Sequence, residues 1–369
     1  MQAYDSAHKL ESREMNKSDF YAVDLFSGAG GLSLGLRQAG IHVEHAVDFD
    51  SDSIATFNHN FTGEPGKIFD LSRASQISQL AKIIGRPSII VAGPPCQGFS
   101  LTGPRKFDDP RNKLYLSVLE IARLTKPTAI LIENVRGMAN LYRGEVRREV
   151  EKRLNLLGYT VDSQVLDAAE YGAPQHRKRL FFLAVRGKKQ ILWPSASHGP
   201  TAPSAFISAS EAISDLPSLE SEPGFDGMDY DKPPTTSFQR QMRDGSSVIT
   251  NHIRTNHSDH VKQVIAQVPP GKDYRSLPAG VGDSRRFNVA WTRYHPDRPA
   301  GTVDTGHRNH FHYQFNRVPT VRENARFQTF PDSFTFLGTR TSQSRQVGNA
   351  VPPLLAEALV RALRNSIEE

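Results

Sequence analysis

Asp24 to Gly35 read DLFSGAGGLSLG, and this stretch decides the fold. An apolar run, Tyr21 to Phe26, leads into it. An amphipathic stretch, Leu32 to Ala39, leads out to Gly40, where a left-handed C-terminal cap favours glycine. Strand, glycine-rich turn and helix in that order open a doubly wound α/β sheet, and the glycines let the backbone approach a ligand at the helix N-terminus. The spacing is not that of a dinucleotide fingerprint, because GxGxxG counted from Gly28 demands glycine where Ser33 stands. Taken alone, the turn serves equally as a ligand loop or as a structural strand-to-helix connection.

Working outward, short apolar runs continue to alternate with amphipathic stretches, the pattern of a sheet with helices on both faces. The expected strands are Tyr21 to Phe26, Glu44 to Phe49, Ser88 to Ala92, Thr128 to Ile132, Thr160 to Leu166 and Leu180 to Val185. Arg147 to Leu157, ended by Gly158, reads as a further helix. From about Trp193 the periodicity gives way to Pro, Gly, Ser and Asp until about Val318. Order returns at Thr320, where Thr320 and Glu323 have capping-box spacing, and a last helix is expected over Pro353 to Asn365. The organisation predicted is a tail (1–19), a catalytic and cofactor-binding domain (20–193), a smaller irregular domain (194–318) and a C-terminal segment (319–369) that completes the first domain.

The length of 369 residues fits two unequal domains better than one. With 38% hydrophobic and 23% charged residues the composition is that of a globular protein. No apolar run approaches the roughly 18 residues of a membrane span, and the polar first nineteen residues lack a secretory signal. Cys96 is the only cysteine, which excludes an intrachain disulfide and points to an intracellular protein. The net charge of +6 is unevenly placed: Glu211 to Asp231 holds seven acids and no Lys or Arg, whereas Lys232 to Arg317 holds thirteen Lys or Arg against six acids. That basic stretch interleaves Phe287, Trp291, Tyr294, Phe311 and Tyr313, a composition suited to nucleic acid. It also carries seven of the thirteen histidines, but His252, His257 and His260 lack an evident fourth ligand, and no metal is expected.

Candidate chemistry collects where strands end. Asp48, twenty residues beyond Gly28, is placed to hold ribose hydroxyls, Phe49 to lie against an adenine and Asp70 to accept from an exocyclic amine. The run Ser88 to Ala92 leads into GPPCQGFS, Gly93 to Ser100, which sets Cys96 on a Pro-Pro turn at the same edge. Thr128 to Ile132 leads into Glu133-Asn134-Val135 and delivers a carboxylate there, where burial would hold a proton near neutrality. The polar loop Phe99 to Asn112 between them is a candidate lid. In QHRKRLFF, Gln175 to Phe182, Arg177 and Arg179 share one face of an extended segment and suit a base carbonyl, a carboxylate or phosphates equally.

Together DLFSGAGG, GPPCQGFS, ENV, QHRKR, TVRENARFQTFPDSF (Thr320 to Phe334) and QVGNAVPP (Gln346 to Pro353) stand in the order seen in DNA (cytosine-5)-methyltransferases, and the chain resembles that family in its bacterial restriction-modification form. The resemblance implies a Rossmann-like S-adenosylmethionine-dependent methyltransferase domain with an irregular target-recognition domain over 194–318. It implies methyl transfer to carbon 5 of a flipped-out cytosine in duplex DNA, with S-adenosylhomocysteine as product. Cys96 would be the nucleophile at carbon 6, Glu133 would contact ring N3 and the exocyclic amine, Arg179 would hold the base carbonyl, and Arg177 would support the site. The cofactor would be surrounded by Phe26, Ser27, Gly28, Ala29, Gly30, Gly31, Asp48, Phe49, Asp70, Leu71, Pro94 and Leu114, with Asn349 and Ala350 closing the pocket. Ser100 and Thr102 would meet DNA near the displaced base, and Arg285, Arg286 and Arg293 are the basic residues expected on phosphates. A monomer in the bacterial cytoplasm, associated with DNA and paired with a cognate restriction endonuclease, completes the expectation.

Two alternatives accompany this reading. A tRNA cytosine-5 methyltransferase would share the chemistry, but that branch typically carries a second cysteine in a Cys-Phe-Thr element, absent here. A catalytically silent DNA-binding homologue would be expected to have lost Cys96 or Glu133, and both are present.

Overall fold

Ala22 to Leu25, Ile89 to Ala92 and Ala129 to Ile132 are buried along their whole length. Continuous apolar runs of this kind need cover on both faces, which a parallel sheet between helical layers provides. The computed structural model describes residues 20–61, 63, 66–95, 114–140, 144–281 and 291–369. Cys96, Ser100, Thr102, Arg285 and Arg286, the lid candidate Phe99 to Asn112 and the tail 1–19 lie outside them. Seven strands form the sheet: β1 (Tyr21–Leu25), β2 (His42–Asp48), β3 (Gly66–Ile68), β4 (Ile89–Ala92), β5 (Ala129–Val135), β6 (Tyr159–Asp167) and β7 (Lys178–Arg186). Their order is β3-β2-β1-β4-β5-β7-β6. β1 to β5 pair in parallel, and β7 runs antiparallel to both β5 and β6.

The connecting helices are α1 (Gly31–Gln38), α2 (Ser51–Asn60), α3 (Ala74–Ile84), α4 (Tyr115–Thr125), α5 (Gly137–Asn140) and α6 (Glu145–Leu156). α7 (Ala209–Ile213), α8 (Ser237–Arg243), α9 (Asp259–Ala266), α10 (Val321–Phe327), α11 (Arg340–Asn349) and α12 (Pro353–Glu368) follow, with a two-residue pair of strands, β8 (Thr292–Arg293) and β9 (His310–Phe311). One face of the sheet buries Ile77, Leu80, Val118, Ile121, Val150 and Leu154 from α3, α4 and α6. The other buries Leu32 and Leu36 of α1 together with Leu355, Leu359 and Leu363 of α12, a stripe at helical spacing. α1 and α12 touch closely enough that a Cβ on Gly35 would lie 2.4 Å from the Ala356 Cβ.

Residues beyond 193 contain little regular structure yet bury a core of their own. Ile213, Phe238, Met242, Ile249 and Val303 pack with Phe327, Phe330 and Phe336, and this cluster reaches Phe57 of α2 and Phe61 just after it. A smaller cluster joins Ile265, Val268, Phe311 and Val318. Among the described residues, no helix is long and apolar enough to cross a membrane.

Most strand ends shift by one or two residues from the sequence expectation, and two elements extend further. α12 continues to Glu368 rather than ending near Asn365. β5 does not stop at Ile132, because antiparallel β7 extends its ladder beyond the parallel partner β4, through Glu133↔Phe181 to Val135↔Arg179. Glu133 therefore sits within a strand, where the pleat fixes its direction, and not on a loop after one.

Candidate active site

The sheet order reverses between β1 and β4, so the carboxyl ends of β1, β2, β4 and β5 frame one crevice, the usual ligand position of such sheets. At the end of β1 the chain turns sharply: Phe26 (φ 58°), Gly28 (φ 53°) and Gly30 (φ 103°) all have positive φ. A side chain on Gly30 would lie 2.5 Å from the Phe61 ring, and one on Gly31 would lie 2.4 Å from the Val351 carbonyl oxygen. These two positions need glycine because α2 and the C-terminal segment press against the turn.

The turn is tied to β2 on both sides. Ser27 N–H donates to the Val47 carbonyl at 3.0 Å, and Gly28 N–H donates to Asp48 Oδ2 at 2.9 Å. Asp48 Oδ1 accepts from Asp50 N–H at 2.9 Å, yet burial still raises the Asp48 carboxyl pKa above its ordinary value. Beneath the turn, Asp24 is fully buried; its Oδ2 accepts from Ser33 Oγ at 2.7 Å while Oδ1 has no partner, and burial raises this carboxyl to about 7. The Ser27 hydroxyl is also buried without a partner. Ser33, which breaks the dinucleotide fingerprint, is thus the residue that bonds one oxygen of Asp24.

Phe49 is 67% exposed, an unusual state for an aromatic at a strand end and a ready platform for a planar ring. Asp70 is less available than expected: Oδ1 accepts from the amide and hydroxyl of Ser72, Oδ2 pairs with Arg73, and these contacts hold the carboxyl below its ordinary value. Leu71 and Pro94 are buried, Leu114 is half-buried at the start of α4, Asn349 is exposed and Ala350 half-buried. The backbone contact of Val351 with Gly31 brings the segment carrying Asn349 and Ala350 to the glycine turn.

On the other side of the crevice, Glu133 is nine-tenths buried and pairs with Arg179 Nε at 3.1 Å. Burial outweighs the pull of Arg179 and Arg177 and leaves the Glu133 carboxyl above its ordinary value. A Cβ on Gly93 would lie 3.7 Å from Glu133 Oε2, and Asn134 Nδ2 donates to the Pro94 carbonyl at 3.4 Å. The end of β4 therefore passes directly beside the carboxylate, and Cys96 is the third residue on from Gly93. Arg177 shares the strand face of Arg179 but reaches deeper: Nη2 donates to Gly348 O at 2.8 Å and Nη1 to Val303 O at 3.4 Å, while Nε has no partner. It braces three segments behind the site rather than facing the crevice.

Arg293 corrects one expectation. It is buried, with Nη2 donating to the Ile265 carbonyl and to Asn316 Oδ1, both at 2.7 Å, so it holds its own domain together and is not presented to a phosphate. His252 likewise uses both ring nitrogens structurally, toward Thr320 Oγ1 and Pro217 O, each at 2.9 Å.

Sequence reasoning missed a set of buried polar residues that position the site. Gln175 Nε2 donates to Phe327 O at 2.7 Å and its Oε1 accepts from Val303 N–H at 3.1 Å, while Gln328 Nε2 donates to the carbonyls of Val347 and Ala350. Arg322 and Arg326 of α10 are wholly buried, Arg326 between Asp215 and Asp332. The available signal was their spacing of one helical turn, which places two charges on a single face.

The sheet order and the crevice define the Rossmann-like fold of S-adenosylmethionine-dependent methyltransferases. Residues 20–365 match the family described as C-5 cytosine-specific DNA methylase. The chain is 36% identical over 349 residues to the Type II methyltransferase M1.HphI of Haemophilus parahaemolyticus, covering 92% of this chain and 86% of that protein. It is 32% identical over 367 residues to M.DdeI of Desulfomicrobium norvegicum, covering 92% and 88%. Among solved structures, an E. coli prophage-encoded protein described as a DNA modification methyltransferase superposes with a TM-score of 0.74 at 27% identity, covering 95% of this chain and all of that one. The chain belongs to the C-5 cytosine-specific DNA methylase family and is a DNA cytosine-5 methyltransferase.

Proposed function

We propose that the protein methylates carbon 5 of one flipped-out cytosine in a specific duplex sequence, through a covalent adduct on Cys96, as the modification enzyme of a restriction-modification system. The observation that carries this reading is the buried Glu133–Arg179 pair beside Gly93, three residues before the only cysteine. S-adenosylmethionine supplies the electrophilic methyl group. Asp48, the exposed Phe49 ring and the unpartnered Asp24 and Ser27 oxygens give the crevice the donors, acceptors and platform that an adenosine with a cationic tail requires.

The Cys96 thiolate adds to carbon 6 of the base, and its electron pair makes carbon 5 nucleophilic enough to take the methyl group. Glu133, held toward its protonated form, donates to ring N3 and accepts from the exocyclic amine, and Arg179 supports the base carbonyl. Loss of the carbon 5 proton then restores the double bond and expels Cys96. Residues 20–193 with 319–369 serve catalysis and 194–318 target recognition. In this reading the enzyme works as a monomer on DNA in the bacterial cytoplasm, beside a cognate endonuclease.

A duplex with 5-fluorocytosine at the target tests the adduct, since fluorine cannot leave as a proton. The target is first mapped at base resolution with labelled cofactor, with tRNA assayed in parallel. A denaturation-resistant complex that requires S-adenosylmethionine and maps to Cys96 is expected, and Cys96→Ser should not form it. Methylation of the fluorinated duplex without an adduct would overturn the covalent route, and methylation of tRNA alone would overturn the substrate.

A further inference from the structure

A second polar concavity lies where the irregular domain meets α10 and α11, and no role described so far uses it. Thr255, Arg308, Asn324, Arg340, Thr341 and Ser344 line it, drawn from the irregular domain, the loop after Val303, α10 and the start of α11. Two guanidiniums, three hydroxyls and an amide are the donor set of an anion site. Arg340 Nη1 donates to the Arg254 carbonyl at 2.9 Å, which fixes the guanidinium at the edge of the irregular domain. Nearby, burial first and then Arg308 and its cationic neighbours lower the pKa of the His257 imidazole.

One acid, Asp304, also lines the pocket, which leaves its two cations in excess. Asp304 Oδ1 accepts from the amides of Gly306 and His307 at 2.8 and 3.0 Å, and Oδ2 accepts from Asn309 N–H at 3.2 Å and faces His310 Nδ1 at 3.6 Å. These bonds tie the carboxylate to its own loop and keep it charged, holding its pKa down to about 2. Among the described residues, neither Arg308 nor Arg340 makes an ion pair with a carboxylate. Arg308 also holds φ 56°, a left-handed conformation that a long side chain adopts only against steric cost, and such residues gather at ligand sites.

The concavity is coupled to the catalytic floor. Thr302 Oγ1 donates to His176 O at 2.7 Å, Val303 O accepts from Arg177, and a Cβ on Gly348 would lie 2.3 Å from the Asp304 carbonyl oxygen. One short loop thus joins the cationic pocket to the strand carrying Arg179 and to the segment carrying Asn349. We propose that this pocket seats a backbone phosphate of the bound DNA near the flipped nucleotide, with Arg308 and Arg340 as its two cations. The proposal rests on the DNA-methylating reading above.

Equilibrium DNA binding across a salt series, by fluorescence anisotropy, tests the site in the full-length protein. Arg308→Gln and Arg340→Gln should each weaken binding by roughly three- to tenfold at about 0.1 M salt and reduce the slope of log K against log salt by about 1. Arg308→Lys should keep most of the slope. Arg308→Gly separates binding from folding: removing the strained conformation should leave thermal stability unchanged or raised while DNA affinity falls. Cofactor affinity should not change in any variant. Wild-type methylation of duplex DNA is measured first, so that its absence counts against the proposed function and not against the pocket. Unchanged salt slopes in variants that still methylate would overturn the phosphate site. So would the loss of millimolar inorganic phosphate binding in the variants with DNA affinity intact, which would make the pocket a free-anion site.

Discussion

The crevice and the α10 region both bury charge, and they treat it in opposite ways. Around α10 the buried ions are saturated. Glu323 accepts two bonds from Arg317 and one from the Thr320 amide, and these hold its carboxyl well below the ordinary range. Arg326 is shared by Asp215, Asp332 and the Ala212 carbonyl, and its pKa is driven up. At the crevice the balance reverses. Glu133, Asp48 and Asp24 are all raised by burial, and Asp24 Oδ1 and Ser27 Oγ have no partner. Saturated buried charge builds architecture, whereas unsatisfied buried charge marks where a ligand is due to arrive.

The largest effect should come from breaking the saturated side. Arg326→Ala would strand Asp215 and Asp332, and removing one partner of a buried pair costs about 3–5 kcal/mol. Urea unfolding should show that loss, with cofactor affinity retained in whatever fraction stays folded. A change below about 1 kcal/mol would mean that Arg243, which also meets Asp215 at 2.6 Å, suffices alone.

On the unsatisfied side, the corresponding change should strike catalysis and spare the fold. Glu133→Gln keeps the shape but loses the acid, and kcat should fall by about 10²- to 10³-fold, the usual cost of removing one group that stabilises developing charge. The melting temperature should move by only a few degrees, since Gln still accepts from Arg179. A variant that unfolds yet turns over normally when folded would place Glu133 with the α10 network instead.

This contrast also explains what could be read in the sequence. The sheet was legible because Tyr21 to Leu25, Ile89 to Ala92 and Ala129 to Ile132 are apolar runs punctuated by Gly and Pro, and local patterns encode local structure. The strand-end groups Asp48, Phe49 and Glu133 followed from those ends. The α10 network was not legible, because Arg326 meets Asp215 across 111 residues and only the tertiary fold brings them together. Arg293 was misread for the same reason: in a basic stretch its charge is visible, and its burial against Ile265 and Asn316 is not.

Asp24 offers a pH test of the same contrast. A carboxyl whose folded pKa lies above its unfolded value stabilises fully below the unfolded value, and that stability is lost as pH rises through the folded pKa of about 7. Asp24→Asn cannot ionise and keeps an acceptor for Ser33. Its stability relative to wild type should therefore climb between about pH 4 and pH 7, by on the order of 4 kcal/mol, and level off above. Urea titrations of both proteins across that range measure the difference directly. A flat difference would show that Asp24 is as well satisfied as Glu323.

The smallest effect concerns an ion pair that links α11 to the crevice. Arg345 Nη2 meets Asp50 Oδ2 at 2.7 Å, Asp50 Oδ1 caps α2 through Ser53 N–H at 2.8 Å, and Asp50 N–H donates to Asp48 Oδ1. Asp48 in turn holds the Gly28 amide, so a charge on α11 steadies the carboxylate proposed to bind ribose. Arg345 is 49% exposed, and solvent limits such a pair to about 0.2–1 kcal/mol. Arg345→Gln should accordingly raise the dissociation constant for S-adenosylmethionine by about 1.5- to 5-fold at low salt, with kcat at saturation unchanged, because positioning the ribose acts equally on ground and transition states. The difference should shrink toward zero at about 1 M salt, where screening reaches within about 3 Å. Asp50→Asn should cost at least as much, and adding Arg345→Gln to it should cost nothing further. If Arg345→Gln instead lowers kcat and leaves cofactor affinity alone, α11 acts on the chemistry by another path and the link through Asp50 is wrong.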